Sequence, residues 1–544
     1  MNLEKPYLIV VFSLLLFLGV SNLMGHRLQH DFPYGYLASD AFQQQTRAEG
    51  IADAGNYIHE PFYIVKGYAD VIGYYPPLLH HLGVILHFLT GIPVYDTVYF
   101  MVFFSAILAA FVMYMLIRRY NKQVAILSLP LSILIFSSKP YIGFLWGHWS
   151  SIAGQLFLIC IFWVMSRFDL EKSELLLGIF IAGMALAHTS ELLYGVVFVF
   201  IYLALMLFYK KFSMQLVKKV LIAGIISGIF SVYTLFVFVK SFMVINPYQF
   251  AVSTDWGGTP IFYLTDFQMI LLFLIAGAAI SIALFKNFDV LVLAGSYMLA
   301  IGYTNYIGFG IRAFQPRLLW PIYFSFFFGI ALYMLVRFIP SKLRSASAFA
   351  LAALFLIVLS NFIQVPYLPT YSKIETSGLM DKWHWDAFQW LDMNTPKNAR
   401  LYFFYGDMFK QNSMLRNSKR AHARVVEEDF VSALQNRTIE RAYWTEAPAD
   451  HGAGMPYFKS FMSIGLHSRD HAPDELFWQR NMDMCLFDYF IFDKASRVPV
   501  LAQYNLLIAN ELVKNGSQVV FQNDFVVILK NSKVGDDCIE KRSF

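Results

Sequence analysis

The sequence predicts a polytopic α-helical membrane protein with a soluble α/β domain at its C-terminal end. Of the 544 residues, 57% are hydrophobic and only 15% are charged, whereas a soluble globular protein carries about 25% charged residues. The mean hydropathy is +0.51. Apolar runs near the length of about 20 residues that crosses a bilayer recur up to residue 365, and a polar tail follows. Together these features predict helices in lipid followed by a water-soluble domain.

The positions of Lys and Arg between the apolar runs predict the topology. Basic clusters such as Arg118–Arg119, Lys210–Lys211 and Lys342–Arg344 separate the runs, and the positive-inside rule places such clusters in the cytoplasm. After Lys122, each interval between clusters holds an even number of runs, as alternating crossings require. About eleven spans follow, at 6–24, 98–117, 123–138, 149–166, 174–188, 192–209, 220–243, 267–285, 288–307, 317–336 and 345–365.

The apolar run at 78–92 is expected not to cross the membrane. A third crossing between Lys5 and Arg118 would move every later basic cluster to the outside. The run is the shortest of the three in that interval, follows two prolines and contains three histidines. These properties are typical of an interfacial helix. We therefore expect residues 25–97 to form one long outer loop with an interfacial helix at 77–92.

The first run is predicted to be a retained anchor with its N-terminus in the cytoplasm. Lys5 precedes the run, and no clear small-residue cleavage site follows it. The transmembrane domain then covers 1–365, and its last span delivers 366–544 to the extracytoplasmic side. A prokaryotic plasma membrane is the expected location, because the C-terminus shows no eukaryotic retention signal.

The tail 366–544 is predicted to form one α/β domain. It is polar, and its apolar stretches are short or alternate with polar residues, which is typical of strands, whereas two longer stretches have helical spacing. The predicted strands are 400–405, 487–492, 518–521 and 525–529, and the predicted helices are 383–392 and 500–514.

Charge and cysteine content add two smaller inferences. The net charge of +5 is low for 544 residues, so the sequence predicts no nucleic-acid partner. Cys485 and Cys538 lie in the polar tail, where a disulfide is compatible with an extracytoplasmic location but is not required by the sequence.

The first outer loop carries the motif on which a functional hypothesis depends. It reads Tyr36-Leu-Ala-Ser-Asp-Ala-Phe-Gln-Gln-Gln-Thr-Arg-Ala-Glu-Gly and, further on, Gly73-Tyr-Tyr-Pro-Pro-Leu-Leu-His-His-Leu. A leading Asp, a helical stretch, a spacer and an aromatic-Pro-Pro-Leu start of an apolar helix resemble the first outer loop of the GT-C glycosyltransferases. This superfamily includes oligosaccharyltransferase catalytic subunits, protein O-mannosyltransferases and the aminoarabinose transferases of lipid A.

The resemblance implies a catalytic acid in this loop and a cation for a phosphate. Family members use an early acidic residue as base or metal ligand, which corresponds to Asp40, with Asp31 as second choice. They also place a basic residue before a late helix, which corresponds to Arg312 and Arg317 in Gly310-Ile-Arg-Ala-Phe-Gln-Pro-Arg. A guanidinium fits a phosphate through its planar donors. Two plainer interpretations stay open: the acids are solvated loop residues, and the arginines extend to the interface.

Other polar residues near the predicted outer face are candidates for lining a cavity: His80, His81, His148, His188 and Glu191. A structural pair is the alternative for the last two. A divalent cation such as Mg²⁺ or Mn²⁺ stays open, because the second outer loop lacks the acidic ligands of oligosaccharyltransferases. The Trp-Trp-Asp-Tyr-Gly motif of those enzymes is also absent, which argues against asparagine glycosylation.

The resemblance implies an inverting transfer of a sugar from a polyprenyl-phosphate donor to a protein, glycan or lipid acceptor in the cell envelope. A non-catalytic scaffold of an envelope assembly complex is one alternative, since a degenerate relative would have a similar sequence. A lipid or polysaccharide transporter is another, although the two halves show no repeat and the spans carry few charges.

Overall fold

The computed structural model describes residues 3–29, 32, 39–55, 76–236, 270–283, 290–303, 318–363, 382–396, 399, 401–403, 488–494 and 499–532. The chain divides into two compact units. The first comprises Met1–Met24 and Tyr74–Tyr367, and the second comprises Gly25–Gly73 and Leu368–Phe544. The domain boundaries expected from the sequence, 1–365 and 366–544, stay a prediction.

The described part of the chain is mostly helical. Its helices are, in chain order, α1 (Glu4–Gln29), α2 (Ser39–Ala54), α3 (Leu78–Thr90), α4 (Val94–Tyr120), α5 (Lys122–Ser128), α6 (Ser138–Trp146), α7 (Trp149–Met165), α8 (Ser173–Ala187), α9 (Thr189–Phe208), α10 (Met214–Phe230), α11 (Leu271–Ala283), α12 (Val290–Ile301), α13 (Trp320–Tyr323), α14 (Ser325–Val336), α15 (Ser341–Ser360), α16 (Lys382–Asn394) and α17 (Pro499–Lys514).

Each predicted span contains helix in its described part. By length and composition alone, three described helices are long and apolar enough to cross a bilayer: α4, α9 and α15. Shorter apolar helices occupy the other described spans from residue 122 onward, apart from the span at 220–243, which contains part of α10. Large side chains such as Phe200 and Ile229 are more than 60% exposed, as expected of helices that face lipid. The number of spans, eleven, stays a prediction.

The span predicted at 123–138 is not a continuous α-helix. After α5, residues Leu129–Phe136 form a 3₁₀ helix with a proline near its start. In an α-helix, the N–H of residue 130 would donate to the carbonyl of Ile126, but Pro130 has no N–H. The hydroxyl of Tyr7 donates to that carbonyl instead, at 3.1 Å. The seven α-helical and eight 3₁₀ residues extend roughly 26 Å, close to the ~30 Å hydrocarbon core.

The N-terminus of α1 is fixed to the turn between α4 and α5 by a cluster of charges. Glu4 is only 5% exposed and forms ion pairs with Arg118 and, at 2.7 Å, with Lys122. The hydroxyl of Tyr114 also donates to its carboxylate, at 2.8 Å. The predicted topology puts this end of the bundle in the cytoplasm, which stays a prediction. The three partners explain how a nearly buried carboxylate is accommodated.

Helix α3 has 13 residues and therefore extends about 20 Å, too short for a ~30 Å core. It packs closely on α4, because a Cβ at Gly83 would lie 3.1 Å from the Cα of Val98. Leu79 and Val84 are buried, whereas Phe88 and Leu89 are more than 60% exposed. The expected short helix is therefore present, and its interfacial position stays a prediction.

The second unit contains a four-stranded sheet formed by β1 (Leu401–Phe403), β2 (Tyr489–Asp493), β3 (Gln518–Gln522) and β4 (Val526–Lys530). The strand order is β1-β2-β4-β3; β1 and β2 are parallel and the other pairs antiparallel. Helix α16 packs against β3 and β4, with the ring centroids of Trp383 and Phe525 4.4 Å apart. Each strand and helix predicted in the tail is found here, to within a few residues at its ends.

Candidate functional site

The structure describes the predicted catalytic and phosphate-binding residues only in part. Asp31, Arg312 and Arg317 lie outside the described residues, so their roles stay predictions. Asp40 lies in the first turn of α2, in the second unit, and its side chain is outside the described atoms. The expected helical stretch of the first loop is present, since α2 covers Ser39–Ala54.

The two histidines at the start of α3 lie in different environments. His80 is 1% exposed, whereas His81 is half-buried. Burial lowers the pKa of the His81 imidazole below its ordinary value, so this ring is neutral at pH 7. A neutral, half-buried ring favours packing over a role as a charged ligand.

The residues that the structure brings together are His188 and Glu191. Glu191 lies in the first turn of α9 and is 0% exposed. Its carboxylate is held by the imidazole Nδ1 of His188, which ends α8 and precedes α9, and by the hydroxyl of Ser151 on α7, which donates at 2.6 Å. A carboxylate accepts hydrogen bonds, so Nδ1 of His188 carries a proton.

Two further side chains extend this network into the bundle. The amide of Gln155, one turn after Ser151 on α7, donates to the Ser151 hydroxyl at 3.1 Å. The hydroxyl of Tyr323 on α13 donates to the Gln155 carbonyl at 3.2 Å. Gln155 and Tyr323 are at most 1% exposed, so the network is enclosed on this side.

Gly154 allows α7 to lie close to the turn between α8 and α9. A Cβ at Gly154 would lie 3.2 Å from the Cβ of Glu191 and 3.3 Å from the Cβ of His188, tighter than ordinary side-chain packing. A larger residue there would push α7 away from the turn between α8 and α9. His148, the candidate in the second outer loop, immediately precedes α7 and is half-buried.

This arrangement can hold an imidazole in one orientation and one protonation state. A buried carboxylate that pairs with His Nδ1 orients the ring and stabilises its positive charge, with Nε2 on the side of the ring away from the carboxylate. The described residues contain no group of three His, Cys, Asp or Glu side chains suited to a metal ion.

The pair of His188 and Glu191 was among the candidates predicted from sequence, but its partners were not. Ser151 and Gln155 are four residues apart in an otherwise apolar run. That spacing puts two polar side chains on one helix face, a signal that could have identified them. Tyr323 stands in an aromatic segment and gave no such signal.

No protein-family model matches the chain, and no curated protein matches it. Among solved structures, ArnT from Cupriavidus metallidurans bound to undecaprenyl phosphate aligns with a TM-score of 0.51 at 12% identity, covering 98% of this chain and 100% of ArnT. ArnT in the apo state aligns with a TM-score of 0.52 at 11% identity, with the same coverage of both chains.

The archaeal oligosaccharyltransferase AglB from Archaeoglobus fulgidus, in complex with an inhibitory peptide and a dolichol-phosphate, aligns with a TM-score of 0.51 at 15% identity. The alignment covers 91% of this chain and 70% of AglB. ArnT and AglB are GT-C membrane glycosyltransferases. The chain thus has the fold of ArnT and AglB, and the GT-C resemblance inferred from its first outer loop is confirmed at the level of the fold.

Proposed function

We propose that this chain is a glycosyltransferase that moves a sugar from a polyprenyl-phosphate-linked donor to an acceptor on the extracytoplasmic side of the membrane. The observation that supports this most is the alignment with ArnT, which extends over 98% of this chain and 100% of that one. The ArnT structure is bound to undecaprenyl phosphate and the AglB structure to a dolichol-phosphate. Two proteins of the same fold therefore bind the kind of product that the proposed reaction releases.

In the proposed reaction, Asp40 is the base and Asp31 the second choice. The carboxylate takes the proton of an acceptor hydroxyl while the oxygen attacks the anomeric carbon. The bond between that carbon and the donor phosphate breaks, and the polyprenyl phosphate leaves with the electron pair. Attack from the face opposite the phosphate inverts the configuration. A carboxylate in the first turn of a helix is favoured in its ionised form, which suits a base in α2.

A positive charge is needed where the leaving phosphate forms. Arg312 and Arg317 are proposed for this role, because the sequence places them just before α13 and guanidinium groups bind phosphate through paired donors. The acceptor is a protein, a glycan or a lipid, and a tail of this size is sufficient to bind any of them.

The first test is sugar transfer by the purified full-length chain in lipid, with a panel of radiolabelled polyprenyl-phosphate sugars. Asp40→Asn should reduce transfer by at least about 100-fold, the lower end of the effect of a general base, because an amide cannot take the proton. Asp53→Asn is the matched control, since Asp53 is an exposed acid on the same helix, and it should transfer at the unmodified rate.

An Asp40→Asn variant that is as stable and as active as the unmodified chain would eliminate Asp40 as the base. Transfer from no donor in the panel, by protein of normal stability, would favour the scaffold over the enzyme.

A further inference from the structure

We propose that His188, held by Glu191, binds the phosphate of the lipid-linked donor as a positively charged imidazolium. This inference depends on the proposed function, since it concerns the donor of that reaction. It adds a phosphate-binding residue that lies in a different part of the chain from Arg312 and Arg317.

The first argument is the charge of Glu191. An ionised carboxylate that is 0% exposed must be compensated, because an unpaired buried charge costs several kcal/mol. Within the described residues, the groups shown on its two oxygens are a neutral hydroxyl, Ser151, and the imidazole of His188. Only the imidazole can supply a full positive charge. A protonated His188 is therefore the state that matches this environment.

The second argument is the position of the pair between two helix starts. Ser151 belongs to the first turn of α7 and Glu191 to the first turn of α9, and their hydrogen bond of 2.6 Å brings these turns together. Each helix start carries about half a positive charge. Glu191 offsets the charge of His188, so the two helix starts leave a net charge of about +1. Such a site favours an anion.

The third argument is the difference in exposure between the two side chains. The Glu191 side chain is 0% exposed, whereas the His188 side chain retains 16%. An incoming phosphate would therefore meet the imidazole and not the carboxylate. The predicted topology places the turn at 188–191 on the extracytoplasmic side, where the donor sugar is transferred.

The described elements packed around the network contribute several titratable side chains. Among the described residues these include Glu191 and Tyr194 on α9, Tyr297 on α12, Tyr323 on α13, Asp96 and Tyr99 near the start of α4, and His80 and His81 near the start of α3. Phenols are neutral below about pH 10. Of these groups, Glu191 is the one shown in contact with the His188 ring, and it acts as a positioning residue through His188.

The test measures retention of radiolabelled undecaprenyl phosphate by the full-length chain in lipid nanodiscs, with undecaprenol as the probe that lacks the phosphate. His188→Gln keeps an N–H donor for Glu191 but removes the charge, and it should weaken undecaprenyl phosphate binding at least about tenfold. Undecaprenol binding should be unchanged. His188→Lys should restore most of the phosphate-dependent binding, and His87→Gln is the matched control.

A pH series separates this role from a purely structural one. Glu191→Gln removes the negative charge that stabilises the imidazolium, while the ring stays largely buried. His188 should then lose its proton at a lower pH than in the unmodified chain, so phosphate-dependent binding should be weaker at pH 8 than at pH 5.5. The unmodified chain should bind at both. Glu4→Gln is the matched control, because Glu4 is another nearly buried carboxylate, in the charge cluster at the start of α1, and it should not alter the pH profile.

Each outcome has a distinct meaning. An unmodified chain that retains undecaprenyl phosphate no better than undecaprenol would overturn the proposed function itself. Specific retention that survives in stable His188→Gln would overturn only the role of His188. If His188→Gln loses binding of both probes equally and has a lower thermal midpoint, the role of His188 would also be overturned. A structural defect weakens both probes alike, whether or not they carry a phosphate.

Discussion

At the level of single residues, the carbonyl of Ile126 shows how one missing N–H links two helices. Pro130 cannot donate to that carbonyl, and Tyr7 of α1 does so at 3.1 Å. The carbonyl belongs to a residue that is 0% exposed, where an unpaired acceptor would be costly. The proline therefore explains both the change from α-helix to 3₁₀ helix and the presence of a tyrosine hydroxyl in an apolar anchor.

Tyr7→Phe should lower the free energy of unfolding by about 1–3 kcal/mol, the cost of an unsatisfied buried acceptor. In a Pro130→Ala background the backbone can donate to Ile126 again, and the same change should cost at least about 1 kcal/mol less. The measurement is a double-mutant cycle on thermal unfolding in detergent. Equal costs in the two backgrounds would show that the tyrosine does not replace the missing N–H.

At the level of elements, α11 and α14 are in contact at a glycine. A Cβ at Gly277 would overlap the carbonyl oxygen of Phe327, and backbone atoms cannot turn away as a side chain can. Gly277→Ala should therefore force the helices apart and destabilise the first unit by about 1–3 kcal/mol.

The matched control is Gly224→Ala on α10, where no described atom lies within 4 Å of the new methyl group. Alanine is a better helix former than glycine by about 1 kcal/mol, so this change should be neutral or stabilising. The thermal midpoints of the two variants should move in opposite directions or differ clearly. A similar, small change in both would refute the close approach of α11 and α14.

Some elements of this fold follow from local sequence patterns, whereas others depend on tertiary packing. The strands at 489–493, 518–522 and 526–530 were predictable because short apolar runs bounded by polar residues are a local signal. The 3₁₀ segment was not predicted, although Pro130 was visible, because the segment packs against α13 and α15, which are distant in the sequence. His188 and Glu191 were visible as a polar turn. Their hydrogen bonds to α7 and, through Gln155, to Tyr323 on α13 depend on packing that the local pattern does not contain.

At the level of the whole molecule, the topology depends on whether α3 crosses the membrane. A helix of 13 residues is too short to do so without a large mismatch. If it does not cross, α4 is the second span and the turns after α4 and α9 lie in the cytoplasm, with the tail outside. If it does cross, every one of these assignments reverses. The position of the proposed donor site at 188–191 reverses with them.

Labelling of single cysteines with a membrane-impermeant maleimide distinguishes the two topologies. In a background with Cys160, Cys485 and Cys538 changed to Ser, Lys514→Cys should be labelled in intact spheroplasts, because its exposed side chain lies in the tail. Lys211→Cys, at an exposed position after α9, should be labelled only after permeabilisation. The opposite pattern would mean that α3 spans the membrane. It would also place the turn of His188 and Glu191 in the cytoplasm, where an extracytoplasmic transfer could not use it.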